Sequence, residues 1–254
     1  MSVKELREPG MNLVEITNLS KHFSGVKAVS DISFNIEEKT INVVIGPNGA
    51  GKSTLFNMIG GLIMPSSGQI RFCGEDITNM PAYLRVRRGI GKSFQLVSLF
   101  PQLTVREHFI AAQVRDKSMF HKLKKHEKEE IEKYIEQIDM QQYADVQVKN
   151  LPISEQRRLD VGLLLALKPK LLLLDEPFAG LFGDQIDVLK EIIVNARREV
   201  AILIVEHRLS IAMEIADRIL VQAAGKLIFS GTPEEVRNSE VVRQSYLITE
   251  NEQQ

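Results

Sequence analysis

A single cysteine, Cys73, stands among the 254 residues, so an internal disulfide is excluded and a reducing compartment fits. Neither sign of charge is in excess. The 32 Lys and Arg against 33 Asp and Glu leave a net charge of −1, which gives no electrostatic ground for a nucleic-acid partner. Long apolar runs are missing as well. Val161 to Leu167 and Leu171 to Leu174 are short and are separated by Lys168-Pro169-Lys170, too little to span a bilayer. Met1 to Gly10 is polar and charged, and no secretory signal is expected there. If a membrane is involved, another chain must cross it. Repeats, low-complexity tracts and convincing linkers are absent too. An apolar share of 44% beside 26% charged residues predicts a soluble chain with a full core, built as one large domain or a domain with an insertion.

What is present starts with Gly46-Pro47-Asn48-Gly49-Ala50-Gly51-Lys52-Ser53, followed by Thr54. It fits the phosphate-loop pattern G-x-x-x-x-G-K-[ST] at every fixed position. Ile41 to Ile45 reads as a short buried strand before it, and Leu55, Met58, Ile59 and Leu62 recur at helical spacing after it. A glycine-rich turn between strand and helix aims consecutive backbone N–H groups at one point, where the helix N-terminus adds positive charge. The arrangement suits the phosphates of a nucleoside triphosphate. Lys52 would reach the β- and γ-phosphates, and the Ser53 hydroxyl would sit on Mg²⁺.

Met11 to Ile16, Ile32 to Ile36 and Gln69 to Phe72 read as strands around that loop. From about Pro81 to Asn150 the pattern changes to a helical insertion, whose charged run Lys117 to Lys133 reads as a solvated face. Strand and helix then alternate again: helix from Ser154 to Ala166, strand at Leu171 to Leu174, helix from Ile186 to Ala196, strand at Ala201 to Val205. Ile186, Leu189, Ile193 and Ala196 share one helical face. A hairpin turning at Ala224-Gly225 follows, then a short helix opened by Thr232 as N-cap with Pro233 at its first position. Such alternation predicts a largely parallel sheet covered by helices.

Leu171-Leu172-Leu173-Leu174-Asp175-Glu176-Pro177 is the second landmark. Two carboxylates emerge at the C-terminal edge of a buried strand, where α/β proteins bind ligands. Hydrolysis needs an acid for magnesium and a base for water. Asp175 would hold Mg²⁺ through water, and Glu176 would polarise the attacking water.

The order of GPNGAGKST, Gln95 within Ser93-Phe94-Gln95, LLLLDEP and Val205-Glu206-His207 resembles the ATP-binding-cassette ATPases from about Met11 to Leu247. The resemblance implies an α/β P-loop NTPase core with an N-terminal antiparallel β subdomain and a helical insertion. One domain, 11–247, would have its core at about 11–93 and 167–247 and its helical subdomain at about 94–166. It implies an ATP hydrolase using Mg²⁺, with Phe23 stacked on the adenine, Gln95 touching the metal and sensing the transporter, and His207 on the γ-phosphate. Leu99 to Glu107 is similar to the segment that receives a coupling helix from a membrane subunit. With Glu176 to Leu181, Gly231 to Val236 and Ser245-Tyr246-Leu247, it is most similar to the ATPases of branched-chain amino-acid importers, with lipopolysaccharide-export and urea-import ATPases close as well. The implied partners are transmembrane permease subunits, a second ATPase subunit and a substrate-binding protein. The implied place is the cytoplasmic face of the cell membrane. A soluble assembly ATPase of the iron–sulfur scaffold type and a low-turnover regulatory subunit are the alternatives.

The chain departs from the family where the signature L-S-G-G-Q belongs, having Leu151-Pro152-Ile153-Ser154-Glu155 instead. Pro152 lacks both the hydroxyl and the backbone donor of a serine. Ile153 and Ser154 replace glycines, and Ser154 is expected to serve as an N-cap. Phe182 stands where Asp or Asn is usual. These changes fall on ATP held by the opposite subunit, so a heterodimer with one impaired site is expected over a homodimer.

Overall fold

The computed structural model describes residues 12–93, 99–115 and 122–243. Met11, Phe94, Gln95, the first part of the charged run after Lys117 and Ser245-Tyr246-Leu247 lie outside the described residues.

Strands β1 (Asn12–Phe23) and β2 (Val26–Glu37) form one long antiparallel hairpin that turns at Ser24-Gly25. The two short strands read from sequence are thus the open-end portions of longer ones, away from the turn. Register shifts between Ile16 and Lys21 break the two-residue period that would reveal the full length, and Asn18 and Asp31 adopt left-handed backbone angles nearby. Strand β3 (Ile41–Ile45) leads into helix α1 (Lys52–Ile59). Helix α1 stops at Gly60-Gly61, which leaves Leu62 exposed instead of continuing the apolar stripe. Strands β4 (Ser67–Phe72) and β5 (Glu75–Asp76) complete an antiparallel sheet of order β2-β1-β4-β5.

Helix α2 (Ala82–Arg88) precedes β6 (Ile90–Lys92), a strand hidden from sequence reading by its three-residue length and its central Gly91. Helices α3 (Val105–Val114), α4 (Lys125–Gln137) and α5 (Ile153–Ala166) follow, then β7 (Leu171–Asp175), α6 (Asp184–Ala196), β8 (Ala201–Val205) and α7 (Leu209–Ile215). The chain closes with the hairpin β9 (Arg218–Ala223) and β10 (Lys226–Gly231) and with α8 (Pro233–Asn238), whose first turn is held by a Thr232–Glu235 capping box.

The second sheet runs β10-β9-β3-β8-β7-β6, parallel throughout except for β10. Its central strands β3, β7 and β8 are buried at every position, as sheets covered on both faces require. Leu172, Leu174, Ile202 and Ile204 face the helices α3 to α7, while Leu171, Leu173, Leu203 and Val205 face α1 and the antiparallel sheet. The predicted stripe on α6 is seated in the first of these cores, with Ile186 at its edge.

The C-terminus of α1 is held by a residue that sequence reading did not single out. Arg85 of α2 is fully buried, and its Nη1 donates to the Met58 and Ile59 carbonyls at 2.7 and 2.9 Å. Its other nitrogens donate to Met80 and Thr78 carbonyls. A cation at that helix end satisfies orphan carbonyls and complements the helix dipole. Burial pushes its pKa down to about 10.

Candidate nucleotide site

Parallel strands deliver their C-terminal ends to one edge, and the loops leaving β3, β7 and β8 meet there. Gly46 leaves β3 with a positive φ, and a Cβ there would come within 1.9 Å of the Gln222 carbonyl oxygen. Gly51, also at positive φ, would put a Cβ 2.0 Å from the Ala28 carbonyl oxygen. The loop lies this close to β9 and β2 only because both residues are glycine. From outside it is tied by Gly225, whose N–H donates to the Ala50 carbonyl at 3.0 Å.

Lys52 opens α1 and is 5% exposed. Its Nζ donates to the carbonyls of Gly46 at 2.8 Å and Pro47 at 2.9 Å. Burial lowers its pKa, while the nearby Glu176 and Asp175 carboxylates work the other way. Asp175 ends β7, and burial raises its pKa against the opposing pull of Lys92, His207 and Lys52. Its own N–H donates to Ser93 Oγ at 3.0 Å, which ties β7 to the end of β6.

Glu176 turns out of the strand at φ 48, with its N–H on the Val205 carbonyl at 2.9 Å. One carboxylate oxygen meets His207 Nε2 at 2.5 Å. Arg208 follows and was missed by sequence reasoning. Its guanidinium donates to the carbonyls of Phe178 and Leu181, pinning the loop after Glu176 to the loop after β8. No spacing announces this, since the acceptors are backbone atoms 27 and 30 residues earlier.

A cavity of about 550 Å³ lies over this edge, lined by Asn48 to Thr54, Glu176, His207, Val26 to Ala28 and Ala224-Gly225. The structure thus gathers Lys52, Ser53, Thr54, Asn48, Gly49, Ala50, Gly51, Glu176 and His207 on one space. Gly46 and Pro47 lie behind it on Lys52, and Asp175 lies beneath, within electrostatic reach of Lys52. Phe23 is not part of the lining; it sits at the tip of the β1–β2 hairpin, paired with Val26, which is. Gln95 is outside the described residues. Ser53 and Asp175 supply only oxygen donors, a set that suits Mg²⁺.

The signature region differs from expectation at one point. The N-cap of α5 is Pro152, and Ser154 is already inside the helix, buried, with its hydroxyl on the Glu155 carboxylate. A proline at N-cap leaves the serine too late to cap. Ile153 and Phe182 stand 65% and 76% exposed.

A family model described as "ABC transporter" matches residues 29–179. The branched-chain amino acid transport ATP-binding protein BraF of Pseudomonas aeruginosa is 34% identical over 248 residues, covering 92% of this chain and 97% of its own. The lipopolysaccharide export ATP-binding protein LptB of Haemophilus influenzae is 36% identical over 238 residues, covering 93% and 98%. Among solved structures, the ATP-binding cassette MJ1267 superimposes with a TM-score of 0.83 at 25% identity, over 93% of this chain and 99% of that one.

Proposed function

This chain belongs to the ABC transporter family and hydrolyses ATP, and we propose that it powers an importer of branched-chain amino acids. The observation that carries the mechanism is the convergence of the phosphate loop, Glu176 and His207 on one cavity, with Asp175 beneath it within electrostatic reach of Lys52. Lys52 exchanges carbonyls of Gly46 and Pro47 for the β- and γ-phosphates. Ser53, Asp175 and Gln95 would hold Mg²⁺, which would supply neutralisation of charge on the phosphates. Glu176 polarises the attacking water, and His207, already on its carboxylate, positions it and reaches the γ-phosphate. Phe23 takes the adenine at the hairpin tip, beside Val26.

The similarity to BraF supports the amino-acid reading, and the similarity to LptB supports lipopolysaccharide export as the second. No helix among the described residues is long and apolar enough to cross a membrane, so permease subunits would provide the path. The ATPase would sit peripherally on the cytoplasmic face, with a substrate-binding protein in the complete system. Pro152, the inward Ser154 and the exposed Ile153 and Phe182 favour a second, different ATPase subunit over a homodimer.

Glu176→Gln tests the chemistry. Turnover is expected to fall by at least about a hundredfold with ATP binding retained; unchanged turnover removes Glu176 from the base role. The same variant, tagged and purified from detergent-solubilised membranes with ATP, tests the partners. Polytopic membrane proteins and a second ATPase are expected. Only soluble partners would move weight to an assembly ATPase.

A further inference from the structure

Beneath the phosphate loop lies a buried amide with nothing to bond. Gln222, near the end of β9, is 0% exposed, and neither its Oε1 nor its Nε2 has a hydrogen-bond partner among the described residues. The three residues before it, Ile219, Leu220 and Val221, are all buried and apolar. An aliphatic side chain at 222 would carry no polar group to leave unpaired. An unpaired buried amide costs free energy, so its presence calls for a partner acquired in another state of the molecule.

Its position names that partner. A Cβ on Gly51 would stand 2.9 Å from Gln222 Nε2, and one on Gly46 would stand 1.9 Å from the Gln222 carbonyl oxygen. Gln222 therefore touches the loop at both of its flanking glycines. The loop's own carbonyls at Gly46 and Pro47 are now bonded by Lys52 Nζ. Lys52 Nζ has three N–H donors, so contacting both the β- and γ-phosphates requires it to release at least one of them. The side-chain amide stands beside Gly51, while Gly46 meets the backbone of Gln222, and that amide carries two N–H donors.

We propose that Gln222 is a positioning residue for ATP: its amide donates to the phosphate-loop carbonyl that Lys52 releases as nucleotide binds. Without nucleotide the amide is a standing penalty, and with nucleotide the penalty is removed. The difference adds to ATP affinity, because only differential interaction with the two states shifts their balance. The proposal rests on the nucleotide reading of the site.

The test uses the full-length chain carrying Glu176→Gln, with Gln222→Leu and the unbranched Gln222→Met added separately. Thermal unfolding without nucleotide and equilibrium titration with ATP and Mg²⁺ are measured on each. Both variants are expected to unfold at higher temperature without nucleotide and to bind ATP about tenfold more weakly, the equivalent of one hydrogen bond. Unchanged ATP affinity would overturn the proposal while leaving the nucleotide site intact. A lower unfolding temperature in both variants would overturn it too, since the amide would then be bonded already. A parent chain that bound no ATP would remove the nucleotide reading, and the proposal with it.

Discussion

Asp160 shows how a single residue's surroundings decide its charge. It lies on α5 beside a small space shared with Ser93, Asp175 and Pro177. Burial pushes its pKa up from 3.8 to about 6, although Arg157 pulls it down. A carboxyl whose pKa is higher folded than unfolded contributes stability below the unfolded value, and loses it as pH rises through the folded one. Asp160→Asn should therefore raise the unfolding temperature at pH 8 and change little at pH 4, with the gap opening between about 4 and 6. The gain is at most about 3 kcal/mol, from the distance between the two pKa values. Unfolding scans across that range check it, and a gain that did not vary with pH would point to packing instead of charge. Lys52 belongs to the same scale. Lys52→Ala removes the cation proposed to meet the phosphates, and ATP affinity in a direct titration should drop by about tenfold or more.

Among the elements, α1 carries the greatest demands, because its N-terminus lines the proposed nucleotide cavity and its C-terminus must be held. Eight residues are too few for a helix to persist unaided in water. Arg85 provides the hold with four carbonyls, two of them belonging to α1. Arg85→Met keeps much of the apolar stem and leaves those carbonyls unpaired. Chemical denaturation should register a loss of about 3 kcal/mol, and ATP affinity should weaken with it as the helix frays. A stability loss with unchanged affinity would separate the helix end from the phosphate loop. The hairpin β9–β10 is a second such element. Its turn grips the loop through Gly225, and its strand carries Gln222 underneath, so the loop is held between them.

At the scale of the whole molecule, the described surface has two apolar side chains at the signature and at the loop after Glu176, namely Ile153 and Phe182. Both lie away from this chain's own cavity lining. Pro152→Ser with Ile153→Gly and Ser154→Gly should then leave ATP binding by this subunit alone unchanged. In the assembled complex it should raise turnover by about tenfold, the worth of restored contacts to a charged phosphate. Comparing isolated subunit and purified complex checks both halves. A gain seen in the isolated subunit would mean that the chain pairs with itself.

Much of this was readable along the chain. The phosphate loop, Asp175, Glu176 and His207 belong to contiguous motifs whose chemistry depends on local spacing, and the buried strands β3, β7 and β8 declare themselves by unbroken apolar runs. Bulges hid the true length of the β1–β2 hairpin, and three residues with a central glycine hid β6. Ser154 is an N-cap in local pattern, yet Pro152 starts the helix before it. Other features came from folding alone: Arg85 on the carbonyls of α1, Arg208 on the loop after Glu176, and Gln222 beneath Gly46 and Gly51. Each joins a side chain to backbone atoms distant in sequence, and a backbone carbonyl looks the same at every position in a sequence. Composition and motif state which chemistry is carried; the packing of strand ends at one edge states which groups can reach one another.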